Sequence, residues 1–257
     1  MEPVVILAGG LGTRLTEETG TKPKPMVEIG GQPILWHIMK HYAHYGHNEF
    51  FVALGYKGEV IKRYFRDISD LGGHMTVNLK THEIERSHRE TADWKVNLIE
   101  TGNDVMTGGR VKRLQPWLEG KRFLLTYGDG VSDVDINKLI KFHESHGLLA
   151  TVTAVRPPAR FGGLVFEGDR VVNFTEKPQI GEGWINGGFM VLEPGVIKYL
   201  KGDKSVFESD ALEHLAADGQ LAAYRHDSYW QCMDTLRDLR TLETLWQGGT
   251  PPWKVWT

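Results

Sequence analysis

Cysteine is almost absent from this sequence, since Cys232 is the only one among 257 residues. A single cysteine excludes an internal disulfide and is typical of proteins that fold in a reducing compartment. Residues 1–8 are apolar, but no basic segment precedes them and glycines follow at once, so the pattern of a signal peptide is missing. We therefore expect a cytoplasmic protein.

Long apolar runs and a strong net charge are missing as well. No stretch approaches the roughly 18 apolar residues that a membrane helix needs, and the formal net charge is only −3. Such a chain has no long-range field that attracts nucleic acid or an anionic membrane. We expect neither partner, and we expect any anionic substrate to be held by a local cluster of cations.

The residues that are present have a globular composition, with 40% hydrophobic and 25% charged. Short apolar strands alternate with amphipathic segments from residue 4 to residue 155. The predicted strands cover residues 4–8, 50–54, 123–126 and 150–155, and the predicted helices cover 33–45, 57–65 and 135–146. This alternation predicts an α/β fold with a Rossmann-like, mixed but mostly parallel sheet flanked by helices.

The pattern changes in two other regions. Residues 164–166 and 171–174 flank a turn and predict a hairpin, and residues 187–192 predict a further strand. Residues 71–98 are long, polar and without clear periodicity. We expect a single domain over residues 1–257 in which 71–98 is an excursion that forms a lid or a subunit contact, and we expect a homo-oligomer.

A glycine-rich loop follows the first strand, at the edge where α/β sheets bind ligands. It has the sequence Leu7-Ala8-Gly9-Gly10-Leu11-Gly12-Thr13-Arg14-Leu15. Its glycines allow backbone N–H groups to approach phosphate oxygens, while Thr13 and Arg14 add a hydroxyl and a guanidinium. Leu15 replaces the third glycine of a dinucleotide fingerprint and no P-loop lysine follows, so a redox Rossmann protein and a P-loop protein are both disfavoured.

A stiff basic segment, Lys22-Pro23-Lys24-Pro25, follows the loop. Its prolines restrict the backbone and hold two cations near the same crevice. Taken separately, the first motif also fits a glycine-rich turn without a ligand, and the second also fits a solvated loop. Together they predict an anion-binding site.

The two motifs together resemble the signature of the sugar-1-phosphate nucleotidylyltransferases. Further stretches resemble the glucose-1-phosphate cytidylyltransferase branch of that family, namely residues 55–58 (GYKG), 106–110 (MTGGR), 127–130 (YGDG), 186–189 (NGGF) and 230–235 (WQCMDT). The similarity covers nearly the whole chain and is weakest over 71–94. It implies transfer of a cytidylyl group from CTP to α-D-glucose 1-phosphate, which gives pyrophosphate and CDP-glucose for deoxysugar and lipopolysaccharide O-antigen pathways.

Two carboxylates are the candidates for a metal site. Asp129 closes a predicted strand between two glycines, which leave the carboxylate open to the crevice. Asp234 precedes a helix that we expect to begin near Thr235. The resemblance assigns both residues to Mg²⁺, an ion that prefers oxygen ligands. From the residues alone, a turn role for Asp129 and a helix N-cap role for Asp234 stay open.

The resemblance also implies the other roles. Arg14, Lys24 and Asp129 are expected to be catalytic, with Arg14 on the pyrophosphate and Lys24 at the α-phosphoryl group. The nucleotide-binding set comprises Leu7, Ala8, Gly9, Gly10, Gly12, Thr13, Arg14, Lys24, Thr107, Gly108, Arg110 and Gly128. The sugar-phosphate-binding set comprises Tyr127, Glu176, Lys177, Asn186 and Gly187.

Similarity to the cytidylyltransferase branch makes Arg110 the candidate reader of the base. A guanidinium donates to O2 and N3 of cytosine, whereas uracil presents an N3–H. The alternative is that Arg110 begins a helix and pairs only with surface carboxylates. A thymidylyl- or uridylyltransferase, a cytidylyltransferase for another sugar phosphate, and a non-catalytic regulator that binds nucleotide sugars on the same fold also stay open.

Overall fold

The structure is a computed structural model that describes residues 1–12, 15–87, 92–157, 163–167, 170–175 and 183–256. The strands are β1 (Val4–Ala8), β2 (Glu28–Ile29), β3 (Gln32–Pro33), β4 (Glu49–Leu54), β5 (His74–Asn78), β6 (Glu83–Ser87), β7 (Lys95–Glu100), β8 (Phe123–Tyr127), β9 (Gly130–Ser132), β10 (Ala150–Val155), β11 (Gly163–Glu167), β12 (Arg170–Thr175), β13 (Ile185–Asn186), β14 (Met190–Leu192), β15 (Leu221–His226) and β16 (Trp230–Cys232). The α-helices are α1 (Thr16–Thr19), α2 (Ile34–His44), α3 (Gly58–Leu71), α4 (Thr107–Arg113), α5 (Gln115–Leu118), α6 (Ile136–His146), α7 (Glu213–Ala217) and α8 (Leu236–Gln247). Short 3₁₀ helices cover Lys24–Met26 and Pro194–Tyr199, and a π-helix covers Phe207–Leu212.

An eight-stranded sheet forms the centre of the fold. Its order is β13, β10, β14, β8, β1, β4 and β7, with β15 beside β10. The pairs β1–β4, β1–β8, β4–β7 and β10–β15 are parallel, whereas β14 runs antiparallel to β8 and β10. The predicted mixed, mostly parallel sheet flanked by helices is confirmed.

Strand β1 is buried on both faces of this sheet. Val4, Ile6 and Ala8 pack into one hydrophobic core with α2 and α8, while Val5 and Leu7 pack into a second core with α4 and α7. Successive side chains of a strand point to opposite faces. A strand with helices over both faces therefore needs the continuous apolar run that the sequence shows.

Helix ends follow local signals. The carboxylate of Asp135 accepts the backbone N–H of Lys138 at 2.9 Å and caps the start of α6, and Gly147 ends that helix with a φ of 67°. Helix α3 continues past the predicted end at residue 65 to Leu71. The predicted end was wrong because residues 66–71 are mostly exposed and lack the apolar pattern. The helix still continues through them, since no glycine or proline interrupts it before Gly72.

The strand predicted over residues 187–192 is interrupted. Gly188 and Phe189 have φ values of 77° and 43°, which break the extended backbone between β13 and β14. Both strands still pair with β10. The hairpin predicted over 164–166 and 171–174 is confirmed as β11 and β12, which pair antiparallel.

The segment that gave no clear pattern, 71–98, contains an exposed hairpin. β5 and β6 pair antiparallel, with Val77, Leu79 and Ile84 exposed by 47%, 84% and 52%. The start of β7 also lies here, and its half-buried place at the edge of the main sheet explains why it lacked a strong apolar pattern. A lid or subunit contact for the hairpin stays a prediction. No helix in the described ranges has the length and apolar character to cross a membrane.

Candidate active site

A cavity of about 470 Å³ lies at the carboxyl ends of β1 and β8. This volume is within the range of about 300–1,000 Å³ that is common for small-molecule sites. Predicted site residues that line it are Leu7, Ala8, Gly9, Gly10, Gly12, Lys24, Thr107, Arg110, Tyr127, Gly128 and Asp129. Residues that line it but were not predicted are Leu11, Pro25, Asn103, Asp104, Val105 and Met106.

Gly9 lies against the side chain of Arg110. A Cβ at position 9 would be 2.3 Å from the guanidinium carbon. Nη2 of Arg110 donates to the Gly9 carbonyl at 2.9 Å, and Nη1 donates to the carbonyls of Leu54 and Gly102 at 3.0 and 2.7 Å. Arg110 therefore fixes the start of the glycine-rich loop to the neighbouring strand ends.

The side chain of Arg110 is buried, with 4% of the residue exposed. Helix α4 begins before it, at Thr107, and Gly109 packs so closely that a Cβ there would be 2.3 Å from the Asp203 carbonyl oxygen. Burial and then the charge of Arg113 lower the pKa of Arg110. The alternative that Arg110 begins a helix and pairs with surface carboxylates is wrong, because close packing of α4 turns the side chain inward.

Thr19 fixes the far end of the glycine-rich loop. Its hydroxyl lies 3.1 Å from the carbonyl of Gly12 and 2.9 Å from that of Leu15. Gly12 has a φ of 64°, a left-handed conformation that favours glycine. Thr13 and Arg14, which were predicted as phosphate ligands, lie outside the described residues and their roles stay predictions.

Lys24 joins the two predicted metal ligands. Its Nζ lies 2.7 Å from Oδ2 of Asp129 and 2.5 Å from Oδ1 of Asp234. Lys24 begins a 3₁₀ helix with Pro25 as its second residue and is only 9% exposed. Burial lowers the pKa of Lys24, but the charges and hydrogen bonds of Asp129 and Asp234 outweigh that effect and raise the pKa above its usual value.

A short antiparallel ladder brings the two carboxylates together. β9 follows Asp129 and pairs with β16, which places Gly130 opposite Cys232. The N–H of Met233 then donates to the Asp129 carbonyl at 2.8 Å. Residues far apart in the chain therefore meet because the start of β9 lies beside the end of β16.

Helix α8 begins directly after this ladder. Thr235 is its N-cap and forms a capping box with Asp238. The alternative that Asp234 is the N-cap is therefore wrong, because the neighbouring threonine caps the helix. The Asp234 carboxylate instead contacts Lys24.

The charge arrangement around Lys24 fits a divalent cation. Carboxylate oxygens of Asp129 and Asp234 converge on a single ammonium group, so a cation already lies between them. Magnesium ions are held by one or two carboxylates, with water and substrate phosphate as the other ligands. Within the part of the chain that the structure describes, no group of three or more His, Cys, Asp or Glu residues forms a fuller metal site.

Tyr127 lines the cavity and contacts Asn186, another residue of the predicted sugar-phosphate-binding set. Its hydroxyl donates to Oε1 of Glu208 at 2.6 Å and accepts from Nδ2 of Asn186 at 3.1 Å. The N–H of Gly188 donates to Oδ1 of Asn186 at 3.0 Å and fixes the amide orientation. Burial, followed by the charge of Glu208, raises the pKa of Tyr127, so its hydroxyl stays a donor.

The other predicted sugar-phosphate residues divide into two groups. The carbonyl of Gly187 accepts the indole N–H of Trp230 at 2.8 Å, which holds it close to the β9–β16 ladder. Glu176 and Lys177 lie outside the described residues. Their predicted contacts with the sugar phosphate stay predictions.

The first turn of α4 is held by residues 205–208, a segment that includes the start of the π-helix. The Thr107 hydroxyl donates to Oε2 of Glu208 at 2.8 Å and accepts the N–H of Phe207 at 2.9 Å. A Cβ at Gly108 would be 2.8 Å from the carbonyl oxygen of Ser205. Gly108 therefore faces this segment, and its predicted contact with the nucleotide stays a prediction.

Comparison with known proteins shows the family. Residues 3–247 match the family model described as Nucleotidyl transferase. The chain belongs to this family. It is 51% identical over 257 residues to the glucose-1-phosphate cytidylyltransferase of Salmonella typhi, with 98% of each chain covered. It is 44% identical over 253 residues to a Bacillus subtilis protein named as a probable glucose-1-phosphate cytidylyltransferase, with 98% of this chain and 99% of that protein covered.

A solved structure has a similar fold. HddC from Yersinia pseudotuberculosis, complexed with GMP-PN, has a TM-score of 0.68 and 28% sequence identity to this chain. The match covers 96% of this chain and all of HddC. The family and the fold that the sequence predicted are therefore both confirmed.

One residue of this nucleotidyl transferase site, Glu208, gave no signal in the sequence. It follows an ordinary apolar position, Phe207, and belongs to no motif. The structure brings its carboxylate to the hydroxyls of Thr107 and Tyr127. A residue whose partners lie in distant segments becomes visible only when the topology is known.

Proposed function

We propose that this nucleotidyl transferase converts CTP and α-D-glucose 1-phosphate into CDP-glucose and pyrophosphate. The relatives in Salmonella typhi and Bacillus subtilis, which match almost the full chain, are named for this activity. The observation that carries the proposal is the cluster of Lys24, Asp129 and Asp234 at the edge of the cavity, beside the glycine-rich loop.

The reaction is a substitution at phosphorus. A phosphate oxygen of glucose 1-phosphate forms a bond to the α-phosphorus of CTP, and the bond to the bridging oxygen breaks, so pyrophosphate leaves with the electron pair. The attacking oxygen is already anionic, so no strong base is required. The protein has to align the two anions and offset their charge.

The residues of the charged cluster perform that task. Lys24 offsets the negative charge that builds at the α-phosphoryl group, and Arg14 steadies the departing pyrophosphate. Asp129 and Asp234 hold Mg²⁺, which supplies charge neutralisation when bound. The backbone from Gly9 to Gly12 faces the same cavity, where N–H groups bind phosphate oxygens.

The walls of the cavity select the two substrates. Tyr127, Asn186 and Gly187, with Glu176 and Lys177, bind the sugar phosphate. Thr107 and Arg110 face the base, and the buried guanidinium of Arg110 forms part of that wall. Gly108 supports this wall from behind, where it packs against residues 205–207. Cytosine accepts at O2 and N3, so the guanidinium donors of Arg110 favour it over uracil and thymine. The active form is a cytoplasmic homo-oligomer with contacts from residues 71–98.

Pyrophosphate release tests this proposal directly. The purified protein is assayed with Mg²⁺, glucose 1-phosphate and each of CTP, UTP, dTTP, ATP and GTP, and each assay is repeated without the sugar phosphate. We expect release with CTP only, and only when the sugar phosphate is present. Release with UTP or dTTP instead would assign the base choice to the thymidylyl- or uridylyltransferase alternative.

A second panel separates the remaining alternatives. Mannose 1-phosphate and galactose 1-phosphate replace glucose 1-phosphate, and CTP binding is measured by calorimetry. Turnover with another sugar phosphate would correct the acceptor. Tight CTP binding without turnover of any sugar phosphate would favour the non-catalytic regulator.

A further inference from the structure

Glu208 lies on the π-helix Phe207–Leu212, behind two walls of the cavity. Its carboxylate bridges two residues that line the cavity, Thr107 at the start of α4 and Tyr127 at the end of β8. Helices of this kind are rare, and single π turns occur frequently at functional sites. The position suggests that Glu208 acts on substrates through its two partners.

Both partners donate a hydrogen bond from their hydroxyl to Glu208. Thr107 donates to Oε2 at 2.8 Å and Tyr127 donates to Oε1 at 2.6 Å. A hydroxyl has a single proton and two acceptor lone pairs. With the protons directed to Glu208, the two oxygens act as acceptors, one for the N–H of Phe207 and the other for the amide of Asn186.

We propose that Glu208 is a positioning residue that sets the direction of the Thr107 and Tyr127 hydroxyls. It thereby holds the base wall, formed by Thr107 and Arg110, and the sugar wall, formed by Tyr127 and Asn186, in one geometry. Which substrates meet those walls follows from the proposed function, and this inference rests on it. A substrate group that meets either oxygen then has to donate a hydrogen.

Backbone contacts make the link between these elements rigid. The N–H of Met106 donates to the Asp203 carbonyl at 2.9 Å, and the N–H of Gly109 donates to the Ser205 carbonyl at 2.9 Å. The close approach at Gly109 leaves no space for a Cβ. The start of α4 is therefore fixed to the segment that carries Glu208, and a shift in the position of one displaces the other.

The substitution Glu208→Gln keeps the size of the side chain but removes its charge and one of its two acceptor oxygens. The variant weakens the hydrogen bonds that Thr107 and Tyr127 donate to Glu208. Each hydroxyl is then less well oriented toward its substrate, so KM for that substrate rises. We expect KM for CTP and for glucose 1-phosphate to rise about five- to tenfold, while kcat changes less than about threefold. Thermal unfolding of the free enzyme serves to detect a general loss of structure.

The chain offers a matched control on the same π-helix. Oδ2 of Asp210 accepts the backbone N–H of Val206 at 2.8 Å, so this carboxylate stabilises the segment without contacting a cavity hydroxyl. We expect Asp210→Asn to lower the midpoint of thermal unfolding but to leave both KM values within about twofold of wild type. Equal KM changes in both variants would overturn the proposal, because they would show a purely structural effect.

A double mutant tests whether Glu208 acts through Tyr127. If it does, Glu208→Gln adds little to the rise in KM for glucose 1-phosphate that Tyr127→Phe causes alone. Multiplied effects of the two substitutions would contradict the inference. Calorimetry with CTP gives a readout without turnover, in which Glu208→Gln weakens binding about five- to tenfold and Asp210→Asn does not.

These measurements separate the two proposals. A wild-type enzyme that binds CTP without turnover would contradict the proposed function while the calorimetric comparison still tests Glu208. A wild-type enzyme with the expected activity, but with normal KM values and CTP affinity in Glu208→Gln, would contradict only the role of Glu208.

Discussion

Two groups of side chains at the cavity are held in different ways, and we call them the charged end and the hydrogen-bonded end. At one end, ion pairs join Lys24 to Asp129 and Asp234. At the other end, the hydroxyls of Thr107 and Tyr127 donate to Glu208. In the proposed function the first arrangement places charge where phosphate groups react, and the second fixes the direction of hydrogen bonds. We therefore expect the charged end to govern the rate and the hydrogen-bonded end to govern substrate affinity.

The largest effect is expected at the charged end. Asp129→Asn keeps the shape of the side chain but removes a charge that pairs with Lys24 and that, in the proposed function, holds the metal. We expect kcat to fall about a thousandfold, with the fold retained, because the lost charge acts on the transition state. Pyrophosphate release measures this change, and turnover within a few-fold of wild type would contradict the role of Asp129.

The matched control for that variant is Asp133→Asn. Asp129 precedes the short strand β9, whereas Asp133 follows it, pairs with His226 at 2.9 Å and does not line the cavity. We expect it to lower the thermal midpoint and to leave kcat within about threefold. An equal loss of kcat in both variants would mean that any carboxylate in this region affects turnover.

A smaller effect is expected where the glycine-rich loop meets the base wall. Gly9→Ala places a Cβ against the guanidinium of Arg110 and displaces it from its buried carbonyl partners. We expect a loss of about 1–3 kcal/mol in the free energy of unfolding. Gly10→Ala is the control, since nothing lies within 4 Å of a Cβ there. Equal stability of the two variants in urea would contradict the bracing role of Arg110.

The smallest effect concerns acid, which acts on a buried residue of α2 that does not line the cavity. His37 is fully buried, its Nε2 donates to the Ile29 carbonyl at 2.9 Å, and its Nδ1 accepts from the Trp253 indole at 3.4 Å. Burial lowers the pKa of His37 from 6.5 to about 4. Between these values the unfolded chain binds a proton that the folded chain does not, so the free energy of unfolding falls as the pH falls.

The substitution His37→Phe tests this source of acid sensitivity. It removes two hydrogen bonds and lowers stability at every pH, but it also removes one titrating group. We expect the loss in the free energy of unfolding between pH 7 and pH 5 to be smaller than in wild type. Urea denaturation at several pH values measures the slope, and an unchanged slope would show that other groups, such as the buried His41, cause the acid loss.

The charged end could be predicted in part from the sequence because its constraints are local. Glycines at positions 9 and 12 indicate close approach and a left-handed backbone, and prolines around Lys24 indicate a stiff segment. The meeting of Asp129 with Asp234 could not be derived from local pattern. It depends on the register of β9 and β16, which only the folded topology determines.

The hydrogen-bonded end was harder to predict. Thr107 and Tyr127 lie in recognisable motifs, but Glu208 lies on a π-helix whose sequence has no distinguishing pattern. The direction of Arg110 was also ambiguous, because an arginine in a helix is usually exposed. Its inward position depends on the close packing of Gly108 and Gly109 against residues 203–207.

The contrast between the two ends is tested most directly by steady-state kinetics of Asp129→Asn and Glu208→Gln, measured side by side with CTP and glucose 1-phosphate. We predict that Asp129→Asn loses about a thousandfold in kcat with KM within a few-fold of wild type, and that Glu208→Gln raises both KM values about five- to tenfold with kcat almost unchanged. Equal losses of kcat in both variants, with normal KM values, would show that the two ends act as one unit and would contradict this account.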